Sequence, residues 1–200
     1  MGMNVAYYFA PQSPWTYLGH QRFVAMALAS GAEVEVLPVD LGRIFPISGG
    51  LPLGKRAPQR QAYRLQELRR FSGFLGLAMN VQPPYFPVAG DPAARLITAA
   101  AQTLGSSAAL RLTGAVLSAV WAEQRDIADA ATLGRLLEES GLPGQLLEQS
   151  GSAAVQGQYE SATQRAIDAG VFGAPTWAIE GELFWGQDRL DFVARRLGLA

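Results

Sequence analysis

The amino-acid sequence predicts an α/β fold, in which a β-α-β unit and a later β-β-α unit flank a large all-helical insertion. Three observations indicate this fold. Apolar runs of strand length occur near the two ends of the chain, helical apolar periodicity fills the middle, and hydrophobic residues make up 49% of the 200 residues against 16% charged ones. This composition suits a well-buried core, and the length allows a single domain or one domain that carries an insertion.

The N-terminal β-α-β unit follows from two strand patterns and one helical pattern. The apolar run NVAYYFA (residues 4–10) predicts a buried strand, and EVEVLPVD (residues 33–40) alternates valine with glutamate as a second strand does. A helix is predicted between them from Pro14 to about Ala29, and Gly31 suits the position just past its end. Its apolar stripe consists of Gly19, Phe23, Met26 and Ala27. Such a crossover favours parallel strands.

Residues 42–169 are predicted to form an inserted helical domain. The segment LGRIFPISGGLPLGKRAPQ (residues 41–59) is rich in glycine and proline, which predicts a long loop. Helical periodicity follows, and no stretch has a convincing strand pattern. The positions with helical spacing are Leu68, Phe71, Leu75, Leu96, Ile97, Ala100, Ala101, Leu104, Leu112, Val116, Val120 and Trp121, followed by the stretches 133–137 and 155–169.

The C-terminal β-β-α unit begins in APTWAIEGELFWG (residues 174–186). Two short apolar runs flank Glu180 and Gly181, which predicts a two-residue hairpin turn. The closing segment DRLDFVARRLG has a helical stripe at Leu190, Val193 and Leu197. Residues 1–41 and 170–200 are therefore predicted to form one α/β domain around the helical insertion.

Composition excludes several classes of function. The net charge is −1 and the isoelectric point is about 5.9, so no basic field attracts nucleic acid or anionic lipid. The N-terminus has no signal-peptide pattern and no apolar stretch reaches membrane-spanning length, so we expect a cytoplasmic protein with neither nucleic acid nor membrane as its partner.

The chain contains no cysteine and a single histidine. Disulfides, thiolate nucleophiles and cysteine or histidine-cluster metal sites are therefore excluded within it, and no metal is predicted. His20 lies seven residues beyond Ser13, about 10 Å along one helix, which is too far for a direct catalytic hydrogen bond. We interpret His20 as a surface position.

The motif GGLPLGKR (residues 49–56) resembles a phosphate-binding loop only in part. Arg56 stands where such a loop needs serine or threonine for magnesium, and Pro52 and Pro58 interrupt the loop and the helix start. Nucleotide binding is therefore rejected. Lys55 is still expected to help attract an anionic substrate.

The segment SPWTYL (residues 13–18) holds the main candidate for chemistry. Ser13 before Pro14 is typical of a helix cap, because the serine oxygen accepts an unpaired backbone N–H and proline suits the first helical position. The alternative is a hydroxyl placed at the positive end of a helix to stabilise an anion. From the residues alone both interpretations remain open.

The sequence resembles the 2-hydroxychromene-2-carboxylate isomerases in two segments, SPWTYL and GVFGAPTWAIEGELFWGQDRLDFV (residues 170–193). These isomerases are related to kappa-class glutathione transferases and, more distantly, to DsbA-type disulfide oxidoreductases. The likeness covers nearly the whole chain. It implies a thioredoxin-like fold with a cis peptide bond before Pro175, glutathione as cofactor and a homodimer. Cysteine is absent, so disulfide exchange itself is excluded.

The resemblance also implies a role for individual residues around glutathione. Ser13 would donate a hydrogen bond to its thiolate, and the backbone of Ala174 would pair with its cysteinyl unit. Gln187 and Asp188 would hold the γ-glutamyl end, whereas a helix-start acid is the structural alternative for Asp188. Arg189 is expected to form a structural ion pair.

The glycyl carboxylate needs a cation, and PQRQAYRLQEL places Arg60 where kappa-class enzymes have a lysine, with Tyr63 following. A solvated basic stretch that contains Lys55, Arg56, Arg60 and Arg64 is the structural alternative. The residues expected to line an aromatic substrate pocket, each of which also suits a core, are Trp15, Tyr17, Tyr63 and Trp185.

The activity implied is the interconversion of 2-hydroxychromene-2-carboxylate and trans-o-hydroxybenzylidenepyruvate, or of a related aromatic-catabolism intermediate, by reversible thiolate addition. Two alternatives stay open: a kappa-like glutathione transferase or peroxidase, and a non-catalytic glutathione-binding protein. This sequence departs from the family at Ala89, where an asparagine is common, which leaves the identity of the organic acid open.

Overall fold

A computed structural model describes residues 2–199, so the outermost residues of the predicted α/β domain, 1 and 200, lie outside the described residues. The strands are β1 Asn4–Phe9, β2 Glu33–Pro38, β3 Thr176–Ile179 and β4 Glu182–Trp185. The helices are α1 Pro14–Ser30, α2 Leu41–Ser48, α3 Pro58–Leu75, α4 Asp91–Leu104, α5 Ser106–Trp121, α6 Ala130–Glu139, α7 Leu146–Gln149, α8 Ala153–Asp168 and α9 Leu190–Arg196.

The four described strands form one sheet in the order β2-β1-β3-β4. β1 and β2 are parallel, and β3 pairs antiparallel with both β1 and β4. This arrangement confirms the predicted β-α-β and β-β-α units. Glu180 and Gly181 have φ values of 49° and 83°, which confirms the two-residue hairpin turn between β3 and β4. The Ala174–Pro175 bond is cis, as expected, and so is Phe86–Pro87.

Between β2 and β3 the described chain is helical, which confirms the predicted helical insertion. The segment 41–59, however, is not a continuous loop: it contains α2 and a 3₁₀ turn at Leu53–Lys55. The Asp40 carboxylate caps α2 by accepting the Gly42 N–H at 2.7 Å, and the buried Ile44 anchors the helix. The local cap and the packing of Ile44 against the sheet and α8 explain a helix where the glycine and proline content predicted a loop.

Two apolar clusters join the sheet to the inserted helices. The larger one contains Tyr7 and Trp177 of the sheet together with Leu112 and Trp121 of α5. The smaller one joins β1 and β2 to α2 and α8. The division into two structural domains therefore stays a prediction. No helix between residues 2 and 199 combines the length and the apolar character needed to cross a membrane.

Candidate active site

Ser13 lies at the junction of β1 and α1 and caps the helix. Its Oγ accepts the Thr16 N–H at 3.2 Å, and Pro14 occupies the first turn of α1, which contains no acidic residue. The Ser13 side chain is therefore in the positive field of a helix N-terminus that no carboxylate neutralises. Capping uses a lone pair of the oxygen, and the hydroxyl proton has no acceptor within the described residues. Both interpretations of Ser13 are thus compatible.

The cis proline lies at the same edge of the sheet as Ser13. The antiparallel pairing of β1 with β3 ends at Tyr8 and Thr176, so Pro175, just before β3, adjoins the end of β1 from which the chain turns to Ser13. The backbone of Ala174 has no hydrogen-bond partner among residues 2–199, although this residue is buried. Its N–H and C=O are the kind of groups to which an extended peptide can add as a strand.

Gln187 and Asp188 follow β4 in a short 3₁₀ turn. Gln187 is only 2% exposed and packs against Gly19, where an added Cβ would lie 2.9 Å from the Gln187 Cβ. Asp188 is exposed and forms a 2.8 Å ion pair with Arg189. The structural ion pair expected for Arg189 is thus confirmed, and its partner is one of the predicted site residues. An exposed pair of this kind contributes only about 0–1 kcal/mol, so another cation can replace Arg189.

The basic stretch at the start of α3 is not uniformly solvated, contrary to the structural alternative considered from the sequence. Lys55 and Arg60 are exposed and Arg56 is half-buried, whereas Arg64 is only 9% exposed. The sequence contained a signal for this burial, because Arg64 precedes Leu68, Phe71 and Leu75 on the apolar stripe by one helical turn.

The Arg64 guanidinium lies over two aromatic rings and has no carboxylate partner among the described residues. Its Cζ is 5.2 Å from the Phe86 ring centroid and 5.8 Å from that of Trp121, and its Nη2 is buried without a hydrogen bond. Burial, with a smaller contribution from Arg56, lowers the pKa of Arg64 to about 10. A cation–π contact contributes about 2 kcal/mol when desolvated, whereas burying the charge costs several kcal/mol. The rings alone do not offset that cost.

The four aromatic residues predicted to line a pocket lie in different surroundings. Tyr17 is buried and its hydroxyl donates to the Ala78 carbonyl at 2.5 Å. Trp15 packs edge-on against Phe71 of α3, with 6.2 Å between ring centroids. The more exposed two are Tyr63, at 55%, and Trp185, at 50%, which packs against Phe172. The contacts described above do not bring these four side chains together, and their assignment to a substrate pocket remains a prediction.

His20 is buried, so its interpretation as a surface position was wrong. Its Nε2 lies 3.0 Å from the Leu110 carbonyl and its Nδ1 3.2 Å from the Tyr7 hydroxyl. A carbonyl only accepts, so Nε2 carries the proton and Nδ1 accepts the Tyr7 O–H. Burial lowers the pKa of His20 to about 4, which the Leu110 carbonyl partly opposes. The side chain is a neutral link between β1, α1 and α5.

A cavity of about 260 Å³ lies elsewhere, between α2, α4 and α8. Asp40, Asp91, Arg95 and Tyr159 are among its lining residues, and none of the predicted site residues is. It is smaller than the roughly 300–1,000 Å³ of typical ligand pockets. The Tyr159 hydroxyl donates to Asp91 at 2.9 Å, so part of its polar lining is already paired.

The sheet order, the cis proline and the helix capped by Ser13 define a thioredoxin-fold protein. The family profile of the DSBA-like thioredoxin domain matches residues 4–198. The 2-hydroxychromene-2-carboxylate isomerase of Sphingobium xenophagum is 29% identical over 195 residues, 96% of this chain and 97% of the relative. The enzyme of that name from Pseudomonas sp. (strain C18) is 30% identical, with 97% and 90% covered. A solved 2-hydroxychromene-2-carboxylate isomerase structure superposes with a TM-score of 0.78 at 25% identity, covering 98% and 95%. The chain therefore belongs to the DSBA-like thioredoxin family, together with the 2-hydroxychromene-2-carboxylate isomerases.

Proposed function

We propose that this protein is a glutathione-dependent isomerase of 2-hydroxychromene-2-carboxylate and trans-o-hydroxybenzylidenepyruvate, or of a closely related aromatic-catabolism intermediate. The names of the relatives support the reaction class. The observation that carries the proposal is Ser13, a buried hydroxyl with an unused proton at the N-terminus of α1, in a chain without cysteine. A cytoplasmic location and a homodimer remain predictions.

The proposed glutathione site consists of the residues that the resemblance assigns to it. Ala174 offers an unpaired backbone N–H and C=O next to the cis proline. Gln187 and Asp188 stand at the start of the last helical segment, where they would hold the γ-glutamyl end. Arg60, exposed in the first turn of α3, would bind the glycyl carboxylate. When bound, glutathione supplies a thiolate that adds reversibly to a conjugated carbon and so permits rotation about the bond.

The chain's own contribution is to keep that sulfur ionised. A free thiol has a pKa of ~8.5, so lowering it by one to two units makes the thiolate abundant at neutral pH. Each unit corresponds to about 1.4 kcal/mol, which one charge-assisted hydrogen bond from Ser13 plus the helix dipole can supply. Ser13 keeps its cap while it donates, because the two bonds use different parts of the hydroxyl.

The test combines a thiolate titration with a substrate assay. Ultraviolet thiolate absorbance is followed as a function of pH with the protein and glutathione, and isomerisation is followed with glutathione omitted or present. We expect a lowered thiol pKa and a reaction that needs glutathione but returns all of it. Net loss of glutathione would instead indicate a kappa-like transferase or peroxidase, and a lowered thiol pKa without turnover would indicate a non-catalytic binder. An unshifted thiol pKa contradicts the role of Ser13.

A further inference from the structure

We propose that Arg64 binds the carboxylate of a small aromatic or unsaturated organic acid, in a site beside the N-terminal end of α1. The anion site rests on the geometry of Arg64 itself. Its identification as the place of the isomerase substrate's carboxylate rests on the proposed function. Arg60 keeps the glycyl carboxylate of glutathione in that scheme, so the two carboxylates have separate partners.

The surroundings of Arg64 have an uncompensated positive charge. The charged neighbour that perturbs Arg64 is Arg56, and the charged neighbour that perturbs Arg56 is Arg60. The acidic residue of α3, Glu67, instead forms an ion pair with Arg70. Within residues 2–199 the Arg64 guanidinium thus has aromatic neighbours and a cationic neighbour but no carboxylate. An anionic ligand would supply the partner of opposite charge that this buried cation lacks.

The three arginines are arranged from solvent towards the interior. Arg60 is exposed, Arg56 is half-buried and donates its Nε–H to the Leu51 carbonyl at 2.8 Å, and Arg64 is buried. A group of charges of one sign raises the local concentration of oppositely charged ligands. We infer that the positive charge of this group attracts the organic acid and that its carboxylate binds at Arg64, while Arg60 keeps the glycyl carboxylate.

Two series of contacts lead from Arg64 to the Ser13 end of α1. Phe71 lies seven residues after Arg64, on the same face of α3 and about 10 Å along it, and packs against Trp15, two residues after Ser13. On the other side, Arg64 lies over Phe86, and the segment that follows Phe86 brings Gly90 against the side chain of Gln12. Arg64 is therefore linked, through Phe71 on one side and through the segment 86–90 on the other, to the residues on either side of Ser13.

The side chains that surround Arg64 favour a planar acid. Phe86 and Trp121 pack together, with 4.8 Å between ring centroids, and the guanidinium lies over both. A guanidinium binds a carboxylate through two parallel hydrogen bonds, which a lysine does not reproduce. The Arg64 Nη2 has no hydrogen-bond partner within residues 2–199 and is buried, so the bound carboxylate reaches it only after the side chains that cover it move aside.

Calorimetric titration with trans-cinnamate and with the uncharged cinnamyl alcohol tests the proposal, without glutathione and with saturating glutathione. We expect cinnamate to bind the unmodified protein more tightly than the alcohol by about tenfold or more. Arg64→Met should abolish that difference, and Arg64→Lys should restore part of it. Arg69→Met, on the exposed side of the same helix, should bind cinnamate as the unmodified protein does.

Thermal unfolding of the ligand-free variants separates binding from structure. A buried unpaired charge is replaced by an apolar side chain at no cost, so Arg64→Met should have an unchanged or higher Tm. Equal binding of cinnamate and the alcohol, undiminished cinnamate binding by Arg64→Met, or no cinnamate binding in either condition would each overturn the proposal. The thiolate absorbance of bound glutathione should not change in Arg64→Met. Failure of the Arg64 proposal therefore appears in cinnamate binding, whereas failure of the Ser13 mechanism appears in the thiol pKa.

Discussion

The Ser13 Oγ accepts the Thr16 N–H at 3.2 Å and leaves its own proton without an acceptor among the described residues. One hydroxyl is therefore able to cap α1 and to donate to a bound anion at the same time. The structural and the chemical roles of Ser13 consequently need variants that separate them.

Ser13→Ala should lose both roles, and Ser152→Ala should lose only a cap. Ser152 caps α8 in the same way, with its Oγ 3.3 Å from the Val155 N–H. We expect each variant to lose about 1 kcal/mol of unfolding free energy in urea titrations. Only Ser13→Ala should raise the thiol pKa of bound glutathione, by about one unit, and so lower the thiolate fraction and the rate at neutral pH roughly three- to eightfold.

The same rise in thiol pKa in Ser152→Ala would show that the loss is a general effect of weakened helices. An unchanged thiol pKa in Ser13→Ala would remove Ser13 from the mechanism altogether.

His20 should make the stability of the protein depend on pH. Its pKa is about 4 in the folded chain and ~6.5 when unfolded, so the unfolded state binds more protons between these values. The free energy of unfolding should therefore decrease as the pH falls from ~6.5 to about 4, by roughly 3 kcal/mol in total from this residue. Urea unfolding across that range measures it.

His20→Gln is the comparison, because glutamine is uncharged throughout the range and its side-chain amide both donates and accepts hydrogen bonds. The variant should lose that decrease, and carboxylates should account for what remains. If both proteins lose stability in parallel, His20 is not the group responsible.

Gly19 should resist substitution because of Gln187. A Cβ at Gly19 would lie 2.9 Å from the Gln187 Cβ and 3.3 Å from the Trp177 ring, whereas a Cβ at Gly157, inside α8, would meet nothing within 4 Å. Gly19→Ala should therefore lower the Tm and weaken glutathione binding by displacing Gln187. Gly157→Ala should stabilise the protein by about 0.5–1 kcal/mol, since alanine favours a helix.

Differential scanning calorimetry and glutathione titration of both variants check this contact. A Gly19→Ala protein with unchanged Tm and affinity would show that the α1 packing is looser than the structure indicates.

Arg60 should contribute to glutathione binding as an exposed cation. Arg60→Met should weaken the affinity about fivefold, corresponding to ~1 kcal/mol for a solvent-exposed charge contact, and the effect should diminish with added salt. Arg69→Met, also exposed on α3, is the matched control and should have normal affinity. Equal weakening in both variants would indicate a general effect of net charge, and no weakening would leave the glycyl carboxylate without its proposed partner.

The sequence by itself determined the order of the elements and the chemistry available to them. Apolar runs predict β1 to β4 because a buried strand needs them, and Ser13 with Pro14 predicts the start of α1 because both residues suit that position locally. The absence of cysteine excluded thiol chemistry by the chain itself. The cis bond before Pro175 followed from a resemblance rather than from composition. The strands and the start of α1 could be predicted because they depend on residues that are neighbours in the sequence.

Tertiary structure decided which polar side chains are buried. His20 is held by Leu110, 90 residues later, and Arg64 lies over Phe86 and Trp121, which belong to other segments. No local pattern shows that a distant helix will cover His20, since water is replaced only when that helix packs against it. The apolar stripe of α3 places Arg64 on the buried face, but it does not show which residues will lie against the guanidinium. The protonation of His20 and the unpaired charge of Arg64 are therefore properties of the folded chain.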